Sequence, residues 1–330
     1  MERHLTATTP LLSVRNLSKH FEVPGSRGRV VKALSDISFD LGRGEVIGLV
    51  GESGSGKTTI GRSVLRLVEP TKGEVFFDGE DLLKLNRTEM RPLRRRMQYV
   101  FQSPFSSLSP RMTIGQIMTE GLKLQKIGTR EERLKIAAEA IEAVELSRDI
   151  MDRYAHEFSG GQRQRIGIAR ALTLKPDLIV ADEPVSALDV SVQAQVVNLL
   201  RNLQVKLGIS IIFITHDLGV IEYLCDRVVV LYLGRIMEIA PSDRLHAHSR
   251  HPYTRALLSA IPSLDPDAQG RRQILKGEIP SPLAPPSGCV FRTRCPLAVA
   301  KCAESVPPLI EREPGHSSAC WRDDEIARGS

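Results

Sequence analysis

Apolar and polar positions follow two rhythms along the chain. From 11 to 50 the apolar residues fall in short runs, "LLSVRNLSKHFEV", "VKALSDISFDL" and "EVIGLV", closed off by polar or glycine residues, which predicts strands. "GEVFFDG" at 73–79 and "MQYVFQ" at 97–102 predict two more. In the middle third the spacing becomes helical. "TREERLKIAAEAIEAVEL" opens with the capping-box pair Thr129 and Glu132 and places Leu134, Ala138, Ile141 and Val144 on one face. Strand and helix then alternate through "LIVAD", "SVQAQVVNLLRNLQVKLG", "ISIIFIT", a short helix ending at Leu224, and "RVVVLYLGR". This predicts an α/β fold with a parallel core sheet, helices packed on it, and a helical insertion at about 103–155. Beyond Pro241 the texture changes: ten of the twenty prolines lie between 262 and 314, which predicts a loop-rich appendage rather than more sheet. The expected organisation is a disordered start over 1–10, a main domain over 11–240 and a proline-rich tail over 241–330.

The bulk composition narrows little. Hydrophobic residues at 42% and charged residues at 25% of 330 exclude wholesale disorder. A net charge of +6 admits nucleic acid or an anionic membrane surface as partner, but the arginines are mostly dispersed. The dense run "RPLRRR" at 91–96 reads either as a nucleic-acid contact or as a charged face leading into the strand after it. No stretch reaches the roughly 18 to 20 apolar residues of a membrane span, and the N-terminus lacks the pattern of a secretory signal, so a cytoplasmic setting is expected. Reduced cysteines are expected there, and four of the five, Cys289, Cys295, Cys302 and Cys320, crowd into the last 42 residues.

Chemistry enters at "GESGSGKT". Gly51, Ser53, Gly54, Ser55, Gly56, Lys57 and Thr58 fit G-x-x-x-x-G-K-[ST] between a predicted strand and a predicted helix that continues through Thr59, the context in which such a loop cradles phosphates. Its amides would wrap the anion, Lys57 would reach the β- and γ-phosphates, and the Thr58 hydroxyl would hold magnesium. "LIVADEP" ends an apolar strand in two carboxylates: Asp182 suits magnesium, and Glu183 suits the water that attacks the γ-phosphate. His216 follows "ISIIFIT" and should emerge at the carboxyl end of the same sheet, where doubly wound folds collect ligands. A second anion site is predicted at "HEFSGGQRQRIGIARAL". Ser159 and Gln162 form an S-x-x-Q capping box, and Gly160 and Gly161 leave the first helical amides bare.

With these residues together, the chain resembles the ATP-binding subunits of ABC transporters, P-loop ATPases with an N-terminal antiparallel β subdomain and a helical subdomain. "FSGGQ" is similar to the family signature, Phe158 standing where leucine is usual, and "SALD", ending at Asp189, is similar to its D-loop. Gln102 in "VFQSP" resembles the Q-loop glutamine that joins Thr58 and Asp182 around magnesium, and Phe21 sits where the family stacks an aromatic on adenine. The resemblance implies ATP and Mg2+ as ligands and Glu183 and His216 as catalytic groups. It also implies a head-to-tail pair in which Ser159, Gly160, Gly161, Gln162 and Asp189 contact the ATP bound to the partner subunit.

The tail narrows the resemblance. "HPYTRALLSAIP" and "GEIPSPLAPPSGCVFRTRCPLAVAKCAESVPPL", closing on "GHSSACW", resemble the C-terminal region of oligopeptide and dipeptide permease ATPases, a group that includes nickel and glutathione importers. The implied partners are a second, identical or non-identical ATPase subunit, two membrane-spanning permease subunits and an extracytoplasmic substrate-binding protein. The implied place is the cytoplasmic face of the membrane, with no nucleic acid involved, and the stretch after Gln102 would receive the membrane subunits' coupling helix. The cysteine spacing C-x5-C-x6-C-x17-C is wider than that of short zinc knuckles, so a [4Fe–4S] cluster, Zn2+ and four unliganded thiols all stand as readings. Tails similar to this one carry an iron–sulfur cluster. A chromosome or DNA-repair ATPase would need a long coiled coil, and a ribosome-acting relative two ATPase units; neither is present in the sequence.

Overall fold

The computed structural model describes residues 9–25, 28–103, 107–260, 275 and 277–328. Most of the disordered start expected over 1–10, residues 104–106 of the stretch after Gln102 that was expected to receive the membrane subunits' coupling helix, and the proline-rich stretch at 261–274 lie outside the described residues. Twelve strands run through the described residues: β1 Leu12–Glu22, β2 Val30–Leu41, β3 Val46–Val50, β4 Lys72–Phe77, β5 Glu80–Asp81, β6 Met97–Val100, β7 Leu178–Asp182, β8 Ser210–Ile214, β9 Arg227–Tyr232, β10 Arg235–Pro241, β11 Ile310–Glu313 and β12 His316–Ser318. The chain divides into two compact units. Of the described residues, the first unit comprises those up to Leu11, Leu41–Glu45 and those within Asp78–Ile214; the second comprises those within Leu12–Asp40, Val46–Phe77 and those from Thr215 on.

In the first unit β8, β7 and β6 lie side by side and parallel, with Tyr99 opposite Val180 and Val180 opposite Ile212. Every residue of β7 and β8 is buried, which matches their unbroken apolar runs: a parallel strand covered on both faces has no polar side to show. The helical insertion is built from Ile114–Leu124, Arg130–Ala143 and the helix Gly160–Leu172 that follows it. Each of the three starts with a reciprocal capping box, at Thr113/Gln116, Thr129/Glu132 and Ser159/Gln162, so local chemistry fixes where the chain turns into helix. The predicted stripe on Arg130–Ala143 is corrected. Ala137, Ala140 and Ile141 are buried with Val144 just beyond, whereas Leu134 is 41% exposed. The dense basic run is absorbed into this unit. Arg96 pairs with Asp78 at 2.6 Å and with Asp177 at 2.5 Å, and Arg94, Arg95 and Arg96 form the last turn of the helix Met90–Arg96, where positive charge is favoured.

In the second unit β2, β1 and β4 form one sheet, β1 running antiparallel to β4 with a bulge between Arg15 and Ser18. A second sheet runs β11-β12-β10-β9-β3, with β9 parallel to β3 and the β9–β10 pair antiparallel across a tight turn at Leu233 and Gly234. The tail was expected to add no strands. Instead β12 pairs with β10 through Glu238–Ser318 and Ile239–Ser317, and β11 pairs with β12. A buried contact fastens this addition: the His316 imidazole meets the Glu238 carboxylate at 2.7 Å with both side chains fully buried. The same carboxylate accepts the backbone N–H groups of Arg250 and His251. Those contacts answer the cost of burying an acid, which must find donors when water is excluded.

Candidate functional site

In the second unit the glycine-rich loop leaves the buried strand β3 and closes into the helix Lys57–Val64. Two of its glycines are dictated by geometry. Gly51 has φ 150°, and a Cβ there would stand 2.1 Å from the Leu231 carbonyl oxygen; Gly56 has φ 103°, with the Ala33 carbonyl 2.8 Å from any added Cβ. Lys57 is buried, and its ammonium donates to the Gly51 and Glu52 carbonyls at 2.7 and 3.1 Å. Ser55 is also buried, and its hydroxyl has no hydrogen-bond partner, whereas Ser53 and Gly54 are exposed and Thr58 and Thr59 half-buried. A buried ammonium and an unanswered hydroxyl in a glycine-rich turn between strand and helix are the equipment of an anion site.

His216 lies in the same unit. The N–H of Thr215 donates to the Leu49 carbonyl of β3 at 3.2 Å, so the next residue, exposed His216, leaves from the same end of β3 as the glycine loop. Asp217 then caps the helix Leu218–Leu224 by accepting the Gly219 N–H. Phe21, on β1, keeps 39% of its surface exposed, with the Lys19 ammonium over its ring at 4.8 Å from the centre.

The first unit holds the carboxylates. Asp182 ends β7 with 3% exposure, and the Tyr99 hydroxyl donates to its Oδ2 at 2.6 Å. Glu183 has φ 44°, the left-handed region that a non-glycine residue enters at a cost and that recurs at functional sites. Its backbone N–H is held by the Ile214 carbonyl, and its carboxylate accepts the Gln102 side-chain amide at 2.8 Å. The structure thus brings Gln102 and Glu183 together. Tyr99 was not anticipated from the sequence, because a tyrosine in an apolar strand carries no mark of which carboxylate it will meet.

The helix Gly160–Leu172 begins as expected. Ser159 Oγ accepts the Gln162 N–H, Gln162 Oε1 accepts the Ser159 N–H, and both side chains stay exposed. The two glycines divide their work. Gly160 is half-buried, whereas a Cβ on Gly161 would stand 2.4 Å from Val192 Cγ1, so close packing demands that residue as much as any ligand does. Phe158 is buried with the Arg153 guanidinium 4.5 Å from its ring centre, so the departure from leucine is a core substitution. Asp189 is exposed at the start of the helix Val190–Leu207 and makes no side-chain cap bond.

In the tail, Cys289, Cys295, Cys302 and Cys320 all line one cavity of about 10 Å³, walled by His251, Phe291, Leu297 and Trp321. The backbone pins two of them, Cys289 N–H donating to the Cys302 carbonyl at 2.8 Å. Burial pushes the Cys289 thiol up to about 11 and the Cys320 thiol up to about 12, and raises Cys295 as well. Neighbouring cysteines add to each shift. Four soft donors around one apolar pocket have the chemistry of a thiolate-ligated group, whose positive charge would favour the deprotonated thiols. Among the described residues, however, no three His, Cys, Asp or Glu side chains are set as a metal-holding group, so the thiols would have to turn inward to ligate. Cys225, outside the set, is buried on its own with its thiol raised by burial, as expected of a packing residue.

Comparison with known proteins agrees with this geometry. Residues 34–186 match the family model described as ABC transporter, and residues 237–302 match that of the oligopeptide/dipeptide transporter C-terminal region. The chain is 69% identical over 316 residues to a peptide import ATP-binding protein of Brucella ovis, covering 96% of this chain and 99% of that one. It is 47% identical to the oligopeptide transport ATP-binding protein OppF of Escherichia coli, covering 96% and 97%. Among solved structures, a dimeric ATP-binding cassette in a post-hydrolysis state with ADP and Pi matches at TM-score 0.63 and 30% identity, over 70% of this chain and 98% of that one. The chain belongs to the ABC transporter family, as an ATP-binding cassette of the α/β P-loop class whose tail places it in the oligopeptide/dipeptide transporter branch.

Proposed function

We propose that this chain is the ATP-hydrolysing subunit of a peptide importer, working as one half of an ATPase pair. The observation that carries the reading is the glycine loop: a buried Lys57 turned onto the Gly51 and Glu52 carbonyls and an unpartnered Ser55 hydroxyl, at the end of a buried strand. Lys57 would exchange those carbonyls for the β- and γ-phosphates, the loop amides and Ser55 would bind phosphate oxygens, and Phe21 would stack on the base. Magnesium bound with the nucleotide would neutralise phosphate charge, held by Thr58, Gln102 and Asp182. Glu183 would orient and deprotonate the attacking water while Gln102 fixes its carboxylate, and His216 would stabilise the γ-phosphate.

The exposed Ser159, Gln162 and Asp189, with the backbone of Gly160 and Gly161, would face the nucleotide of a second, identical or non-identical ATPase subunit, so that ATP joins the pair and hydrolysis releases it. That cycle would drive two membrane-spanning permease subunits, fed by an extracytoplasmic binding protein, from the cytoplasmic face of the membrane. Residues 11–240 would form the ATPase domain and 241–330 the tail. The four tail cysteines would hold a [4Fe–4S] cluster, with Zn2+ as the other soft-metal reading.

The test is reconstitution of the complex in vesicles. ATP-driven accumulation of a labelled dipeptide or oligopeptide, lost with Lys57→Ala, is the expected result. Accumulation of nickel or glutathione without peptide would overturn the substrate assignment.

A further inference from the structure

One contact joins the cysteine-bearing tail to the glycine loop inside the second unit. Arg294, the residue before Cys295, meets the Glu52 carboxylate with two parallel bonds, Nη1 to Oε2 at 2.6 Å and Nη2 to Oε1 at 3.1 Å. Its side chain is only 7% exposed. The guanidinium also donates to the Tyr232 hydroxyl at 3.4 Å and lies over that ring. The tail grips the same residue a second time, since the Glu52 N–H donates to the Tyr253 hydroxyl at 2.9 Å. Tyr232 and Tyr253 pack against Phe291, which lies between Cys289 and Cys295 and is fully buried. A bidentate arginine–carboxylate pair fixes direction as well as distance, so this clamp has a geometry to impose.

We propose that Arg294 is a positioning residue for nucleotide binding, through which the four-cysteine tail sets the affinity of the phosphate loop. The proposal rests on the reading of Gly51–Thr58 as that loop. Two effects follow from the contact. Tyr253 and Arg294 hold Glu52 from its backbone and its side chain, while the Glu52 carbonyl accepts both Lys57 and the Ser55 N–H at 3.1 Å. The turn that presents Ser55 and Lys57 is therefore anchored from outside the loop. Arg294 also cancels a carboxylate borne by a loop whose ligand is a polyanion, and an uncompensated negative charge so placed would oppose binding. Because Arg294 lies within the segment closed by Cys289, Cys295 and Cys302, disturbance of the cysteine site reaches the nucleotide through it.

The experiment measures the affinity of the full chain for a fluorescent ATP analogue, with thermal midpoint and metal content recorded for each variant. Arg294→Ala is expected to weaken binding by roughly tenfold with metal content kept and a lowered but single thermal transition, since it strands the Glu52 carboxylate. The double variant Glu52→Gln/Arg294→Ala is expected to recover most of the loss, because it removes the stranded charge as well. Parent-like affinity in Arg294→Ala, or a double variant as weak as the single one, overturns the proposal. Lys57→Ala serves as the separate control: if it binds like the parent, the phosphate-loop reading itself fails, whatever Arg294 does.

Discussion

The side-chain amide of Gln102 donates to the carboxylate of Glu183 at 2.8 Å across 81 residues of sequence. The contact leaves Glu183 held at both ends, since its backbone N–H bonds to the Ile214 carbonyl. With φ at 44° the residue adopts a conformation its own side chain disfavours, and these two bonds hold it there. Replacing Glu183 with Gln keeps the size and most of the bonding but removes the base. Turnover is expected to fall by roughly 100- to 10,000-fold with ATP affinity retained, as read by steady-state hydrolysis beside equilibrium binding. Near-normal turnover would remove Glu183 from the role.

Tyr99 holds Asp182 by one buried bond of 2.6 Å. Deleting the hydroxyl in Tyr99→Phe should cost about 1 to 2 kcal/mol of stability and raise the magnesium concentration needed for half-maximal hydrolysis. A magnesium titration identical to that of the parent would show that the bond does not orient the carboxylate for the metal.

Ser159 caps its helix through the Gln162 N–H at 3.3 Å. Ser159→Ala should lose about 1 kcal/mol from the missing cap and much of the hydrolysis rate, while nucleotide binding to the chain's own loop stays as it was. The decisive comparison is ATP hydrolysis against binding by the same sample; a parallel loss of both would argue against a role at the partner's nucleotide.

His251 gives the second unit an acid sensitivity. It is fully buried, burial holds its pKa down at about 4, and its Nδ1 accepts the Tyr253 N–H at 3.1 Å, an acceptor that protonation would abolish. The folded form binds the proton less readily than the unfolded chain, whose histidine titrates near 6.5. This contribution to stability is therefore complete above about pH 6.5 and is lost as pH falls towards 4. His251→Asn, which keeps a side-chain acceptor, should flatten the dependence of denaturation midpoint on pH across that window. An unchanged slope would locate the acid sensitivity elsewhere.

The tail cysteines make a spectroscopic prediction. Chain purified without oxygen should be brown, with a broad absorbance near 400 nm, and should bleach on chelation of iron. Colourless protein with one zinc per chain would assign the pocket to zinc, and colourless protein free of both would leave four unliganded thiols.

What could be read from the sequence was local. Thr129/Glu132 and Ser159/Gln162 announce helix starts because both partners of each capping box lie within one turn, and the structure has both. The glycine loop was legible for the same reason, its strand, turn and helix being contiguous. Leu134 was misplaced because periodicity gives the angle of a residue around a helix but not which neighbours cover it; the stripe at Ala137, Ala140 and Ile141 is the one that packs. The strands β11 and β12 were hidden in a proline-rich stretch, since β12 pairs with β10 across about 80 residues, Glu238 opposite Ser318, and β11 pairs only with β12. Arg294 and Glu52, 242 residues apart, carry no mutual mark at all.

The lamination of β12 onto β10 has a bearing on solubility. Without it, β10 would present a bare row of amides and carbonyls between apolar side chains, a template on which any extended peptide could grow. With it, the outermost member is β11, four residues long and bearing Glu311, Arg312 and Glu313, a short and charged border that discourages further accretion. One border of the second unit's sheet is thus closed against indiscriminate self-association.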